Sequence, residues 1–285
     1  MGQYQFKSIL CICIFSFTFL QCIEEDNKND FLLSLLTLPR VNNSSVSPCP
    51  PTSLPTEIPI ANTVVSANSN VSGFSNSTKA INGICGGGEF SGSLDVYALN
   101  LTGAGATLIL SWGGKTVKNV TGIDFIVYEN PFRVSEASDR YAFDPMVVHV
   151  SFNGTEYCGF DLSGFNPSVS DSNKISSWPG FAGLRPVIYN MATKPFTLDE
   201  LFTSTGSGFL LGGGDGFDLN NLIVGGPGTN CDAAARTNIQ TNGFKFIRLT
   251  TALAVNNPTT GTGYVYPHSY DNGSDIDGVV AKEVE

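Results

Sequence analysis

Apolar residues come in short runs closed by turn residues along most of the chain. Leu94-Asp95-Val96-Tyr97-Ala98-Leu99 alternates, and Ala106-Thr107-Leu108-Ile109-Leu110-Ser111-Trp112 is a β-branched, apolar run closed by Gly113-Gly114. Ile123-Asp124-Phe125-Ile126-Val127-Tyr128-Glu129 stops at Asn130-Pro131. Met146 to Phe152 ends at Asn153-Gly154 and the chain returns through Glu156-Tyr157-Cys158, which predicts a hairpin. Lys245 to Thr250 and Val279 to Val284 complete the strands. Short strands at this spacing predict an all-β fold, a β-sandwich or jelly roll, rather than alternating strands and helices. Two short helices interrupt the pattern. Thr197-Leu198-Asp199-Glu200-Leu201-Phe202 has capping-box spacing from Thr197 to Glu200. Cys231 to Asn242 carries Ala233-Ala234-Ala235, offers Asn230 as N-cap and stops at Gly243.

The N-terminal part has a different texture. One Lys, Lys7, precedes an apolar run from Ile9 to Leu20 that ends abruptly at Gln21-Cys22. The run is too short to span a bilayer, which takes ~20 apolar residues, and it has the layout of a secretory signal peptide over residues 1–21. A Cys at the switch predicts lipidation at Cys22, and Glu24-Glu25-Asp26 follow as a hydrophilic start. Gln21 departs from the small residue usual before a lipidated Cys, and such loose signals resemble those of spirochaetes. Residues 22–83 lack sustained periodicity. Phe31 to Leu38 suggests a short helix stopped by Pro39, and Pro48, Pro50, Pro51, Pro55 and Pro59 suggest a semi-rigid spacer. The expected organisation is therefore a signal peptide (1–21), a lipid-anchored Pro/Ser/Asn-rich tether (22–83) and a β-sandwich domain (84–285).

Composition narrows the function. Charged residues are 14% of the chain, and acids outnumber bases 25 to 15. Loss of Lys7 with the leader makes the balance one charge more negative than −10. Nucleic-acid binding needs a basic footprint and is not expected. Cys11 and Cys13 leave with the leader and Cys22 takes lipid, so Cys49, Cys85, Cys158 and Cys231 remain. An even number in an exported chain predicts two disulfides, for which three connectivities exist. The expected pairs are Cys158–Cys231, tying a loop to a short helix, and Cys49–Cys85, pinning the tether to the domain. No Cys-x-x-Cys pair suggests zinc.

Little in the chain suggests catalysis. His149 lies within a strand, and His268 sits in the Tyr-rich loop Tyr264-Val265-Tyr266-Pro267-His268-Ser269-Tyr270. Neither has a Gly-x-Ser-x-Gly partner, so no enzyme is expected. Gly86-Gly87-Gly88 and Gly212-Gly213-Gly214 fit no phosphate-binding motif and read as turns. Two Gly-flanked acid loops offer oxygen ligands, Asp215 with Asp218, and Asp271 with Asp275 and Asp277. A structural calcium on some of these is one reading, and ordinary turn chemistry of Asp and Asn is the other. Otherwise no cofactor is expected.

Taken together, Ser91-Gly92-Ser93-Leu94-Asp95-Val96-Tyr97, Gly122-Ile123-Asp124-Phe125-Ile126-Val127-Tyr128-Glu129-Asn130-Pro131-Phe132, Gly214-Asp215-Gly216-Phe217-Asp218-Leu219 and Asp275-Ile276-Asp277-Gly278-Val279 resemble leptospiral surface lipoproteins. The resemblance covers roughly residues 80–284. It implies an outer-membrane, surface-exposed lipoprotein acting as an adhesin for laminin, fibronectin or plasminogen, with no catalytic residues. Tyr264, Tyr266 and Tyr270 are the expected contact residues, since Tyr gives large contact area at low entropic cost. The alternatives are a carbohydrate-binding sandwich, using exposed aromatics such as Trp112, Trp178 or these tyrosines, and a structural envelope lipoprotein.

Overall fold

The computed structural model describes residues 49–168, 170–265 and 273–285. The leader, Cys22, the Phe31–Leu38 stretch, Tyr266, His268, Tyr270 and Asp271 lie outside the described residues. Thirteen strands and two short α-helices are described, so the fold is all-β. The strands are β1 (Thr63–Ala67), β2 (Tyr97–Ala98), β3 (Thr107–Ser111), β4 (Phe125–Tyr128), β5 (Phe132–Arg133), β6 (Tyr141–Ala142), β7 (Met146–Ser151), β8 (Cys158–Phe160), β9 (Asp215–Phe217), β10 (Leu222–Ile223), β11 (Phe246–Thr251), β12 (Asp275–Ile276) and β13 (Gly278–Ala281). The helices are α1 (Leu198–Leu201) and α2 (Ala233–Asn242).

A six-stranded antiparallel sheet runs β1-β3-β11-β7-β8-β10, and a three-stranded one runs β13-β4-β9. Their facing sides close on one core. Leu108 and Leu110 of β3, Val148 and Val150 of β7, and Ile247 and Leu249 of β11 come from the large sheet. Phe125 and Val127 of β4, Phe217 of β9, and Val279 and Ala281 of β13 come from the small one. The period-two geometry of a strand sends these alternate residues to one face. Phe125 stacks on Phe217 at 5.3 Å and meets Phe244 edge-on at 5.2 Å, while Phe160 lies 4.7 Å from Phe217. Such offset and T-shaped pairs contribute about 0.5–1.5 kcal/mol each beyond their buried area.

The outer faces are covered too. Ile126, Tyr128 and Val280 on the far side of the small sheet pack with Ile58, Ile60, Ile84, Val187, Tyr189 and Leu201. Leu201 is delivered by α1, whose Thr197–Glu200 capping box forms as the spacing predicts. On the far side of the large sheet, Val147 joins an aromatic layer containing Phe143, Trp178, Phe181 and Tyr264. All six residues of β7 are buried for this reason. The edges of the large sheet are blunted as isolated sheet edges need to be. β10 has two residues, and β1 carries a register shift between Val64 and Ser66 that leaves Val65 exposed.

The expected tether boundary at residue 83 is wrong. β1 pairs with β3, Ile58, Ile60 and Ala61 are buried, and Ile60 bridges to Val280. Pro59 is part of the domain, its carbonyl accepting a hydrogen bond from the Trp112 indole at 3.0 Å. Turn-rich composition masked a segment that supplies an edge strand and a patch of core. The N-cap of α2 is also corrected, because Asp232 rather than Asn230 accepts from the Ala235 amide. Asn230 instead receives the Tyr157 amide at 2.9 Å. The sequence-predicted strand Leu94–Leu99 shrinks to Tyr97–Ala98.

A chain starting at residue 84 should therefore fail to unfold cooperatively, whereas one starting at residue 45 should show a single sharp transition in urea. Equal, sharp transitions for both would show that residues 45–83 are dispensable.

Candidate functional site

The two disulfides join Cys49 to Cys85 and Cys158 to Cys231, with Cα separations of 5.6 and 4.7 Å. The first holds the Pro-rich segment against the start of the domain. The second links β8 to the residues just before α2, across a sequence separation of 73. Closing so long a loop contributes about 4 kcal/mol in the chain-entropy view. Replacing Cys158 and Cys231 together by Ala should lower the unfolding free energy by about that amount, read from urea midpoints; an unchanged midpoint would show that packing alone holds this corner.

His149 has a structural setting. It is buried on the outer face of β7, where its Nε2 donates to the Pro227 carbonyl at 2.9 Å and its Nδ1 accepts from Arg248 Nε at 3.3 Å. Arg248 also donates to the Gly228 carbonyl and lies over the Tyr157 ring. Burial, reinforced by the Arg248 charge, pulls the imidazole pKa from 6.5 down to about 3. The ring is a neutral spacer with both nitrogens in use, and no Ser or Cys nucleophile is among its hydrogen-bond partners. The folded pKa is depressed, so the unfolded chain takes up a proton first as pH falls. The stability held by neutral His149 is complete above about 6.5 and is lost as pH drops towards 3. Between pH 7 and 4.5 wild type should lose roughly 2.5 kcal/mol more than His149→Gln, measured by urea unfolding at both values. An equal loss in both proteins would place the imidazole in solvent.

The aspartates expected to share a calcium are dispersed. Asp215 is buried and accepts from Arg185 Nη1 at 2.6 Å and the Leu184 amide at 2.8 Å. Burial raises its pKa, and Arg185 works against that rise. Asp218 caps a turn by accepting from the Asn220 amide. Asp277 is buried and takes the Cys85 amide at 2.9 Å. Asp275 goes elsewhere: its amide donates to Glu129 Oε1 at 2.8 Å. Three of the four described residues are thus engaged at separate places, by an arginine or backbone amides, and Asp271 lies outside the described residues. Among the described residues, one acid trio converges: Glu129, Asp144 and Asp275. Sequence reasoning missed Glu129 and Asp144, which lie in strand-end positions without flanking acids.

The expected contact residue Tyr264 is also corrected. It is 2% exposed and packs edge-on against Phe165 and Phe181 at 4.9 and 5.0 Å. Trp178 sits in the same layer, donating its indole to the Ser172 carbonyl, and Trp112 is buried against Phe244. These aromatics fill cores and offer no face to a sugar. Exposed apolar side chains stand elsewhere. The Arg133 amide donates to the Glu89 carbonyl at 2.7 Å, and its guanidinium pairs with the Glu89 carboxylate at 2.8 Å. That contact ties the loop carrying Phe90 to the segment carrying Phe132 and Val134, which flank Arg133 in sequence, and all three are exposed. The Ser93 amide bonds to the Asn130 side chain, which fixes the same loop near its end. Leu94 follows, 79% exposed, on the rim of a shallow depression lined also by Asp95, Gly92 and Asn190. The signal for this surface lay in two apolar residues, Phe90 and Leu94, standing in a Gly/Ser-rich loop.

No protein-family model matches the chain, and no curated protein or solved structure matches it significantly. Among the described residues, no helix is long and apolar enough to cross a membrane.

Proposed function

We propose that the chain is a surface-exposed, outer-membrane lipoprotein without catalytic activity, anchored through Cys22, whose β-sandwich is an adhesin for host matrix or plasma proteins such as laminin, fibronectin or plasminogen. The observation that carries this reading is four exposed large apolar side chains, Phe90, Leu94, Phe132 and Val134, on two segments tied to each other by hydrogen bonds. Monomeric proteins seldom expose grouped large apolar side chains without a use, and loops on a rigid scaffold are where binding residues concentrate. Arg133 and Glu89 supply a polar rim around apolar anchors, the arrangement of a protein-binding patch. The sequence adds the anchor, and its negative balance disfavours contact through sulfated glycans. The structural-envelope alternative needs no such patch, and the carbohydrate alternative loses Trp112, Trp178 and Tyr264 to the cores.

The test is binding of the full mature chain to immobilised laminin, fibronectin and plasminogen, beside an acidic β-protein as control. At least one of the three should bind above control. The Phe90→Ser, Leu94→Ser double variant should lose that binding by on the order of tenfold or more, the scale of a lost interface anchor. Val224→Ser, at an exposed apolar position outside those two loops, should bind as wild type does. Binding no better than control to all three would overturn the adhesin reading, and binding indifferent to the double variant would overturn the assigned surface.

A further inference from the structure

We propose that Glu129, Asp144 and Asp275 bind one divalent cation, calcium in preference to magnesium, and that the ion clamps the sheets of the sandwich together. The three residues come from different parts of the fold. Glu129 is the first residue after β4 in the small sheet, Asp144 stands two residues before β7 in the large sheet, and Asp275 opens β12 in the β2–β12 pair. One carboxylate oxygen from each lies within 4.8 Å of the others. Calcium takes oxygen ligands at about 2.3–2.6 Å in flexible geometry, so three carboxylates this close can turn onto one ion with small side-chain movements. Magnesium demands near-ideal octahedral geometry and gives up its waters reluctantly, so it suits an all-protein set of carboxylates around a buried Glu less well. The donor set holds no His or Cys, which points to a hard, oxygen-seeking ion rather than zinc or copper.

A cluster of acids can be only a solvated patch, but Glu129 is not solvated. It is 2% exposed, and it faces Asp144 and Asp275, the nearby charges that act on it, both negative. Its Oε1 accepts from the Asp275 amide, while its Oε2 is buried and meets no hydrogen-bond donor. A buried carboxylate oxygen without a donor is among the least favourable features a fold can carry. A cation supplies the missing partner. The wall beside the cluster is bare backbone. At Gly183, with φ of +81°, an added Cβ would sit 2.7 Å from the Asp144 carbonyl oxygen and 3.3 Å from Glu129 Cγ. Glycine there lets the 182–184 loop close over the two acids and keeps bulk solvent from Glu129.

The experiment is thermal unfolding of the full mature chain, stripped of metal, in EDTA, in calcium chloride and in magnesium chloride. At a hundredfold excess over Kd, calcium should raise the Tm by roughly 5–10 °C relative to EDTA, and magnesium should raise it less. Glu129→Gln keeps the side-chain shape and removes one negative charge from the trio. It should fold, melt in EDTA at or above the wild-type temperature, and lose the calcium shift. Asp144→Asn should lose the shift as well, while Asp218→Asn, outside the trio, should keep it. The proposal is overturned if calcium leaves the wild-type Tm where EDTA puts it, if the shift survives in Glu129→Gln, or if magnesium produces a shift of equal size.

Discussion

The fold is organised by one strand that is covered on both faces. β4 has four residues, all buried, and each side of it serves a different core. Phe125 and Val127 face the large sheet, and Ile126 and Tyr128 face the layer built by Ile58, Ile60, Val187 and Leu201. A strand buried on both faces cannot slip by one residue without exchanging two whole packing surfaces. Its neighbours β13 and β9 inherit that register, and through Phe125, Phe217 and Phe160 so does the large sheet.

Carboxylates stand at both ends of this strand, and they do different work. Asp124 is buried and accepts the amides of Val120 and Leu219, each at 2.6 Å, which fastens two loops to the start of β4. Burial lifts its pKa to about 6 even with those bonds holding it down. Glu129, at the other end, has backbone donors for only part of its carboxylate and faces two further acids. The first carboxylate is satisfied by the chain itself, and the second is the place where the chain's own hydrogen bonding stops short. The surface loop carrying Phe90 and Leu94 is fixed to the residues just beyond that point through Asn130 and Arg133. The buried strand, one member of the acid trio and two of the exposed apolar residues, Phe132 and Val134, are thus successive positions along one stretch, 124–134.

Much of the strand pattern was legible because the hydrophobic period is local. The runs around Leu108, Ile126, Val148 and Ile247 became β3, β4, β7 and β11, and the Asn153-Gly154 turn joined β7 to β8. Residues 58–67 were hidden because prolines and polar residues around them have the composition of a linker, and only pairing with β3 and packing against Val280 reveal their role. The candidate site was less legible. Glu129, Asp144 and Asp275 are far apart in sequence, and each taken alone is an ordinary strand-end acid, so only the sheet stacking brings them together. The visible acid loops misled for the converse reason: Asp215 opens β9 and Asp277 stands between β12 and β13, and both buried carboxylates accept backbone amides. Tyr264 misled because a Tyr-rich stretch looks like a contact loop, while at this position the ring completes an aromatic layer under the large sheet.

If β4 is the element on which the other layers depend, its amides are released only when the whole domain unfolds. Residue-resolved hydrogen exchange of the chain under native conditions measures this directly. The amides of Ile126, Val127 and Tyr128 should exchange last, together with their partners in β13, at the free energy of global unfolding found from urea. Exchange of those amides as fast as that of the two-residue edge strand β10 would contradict the account.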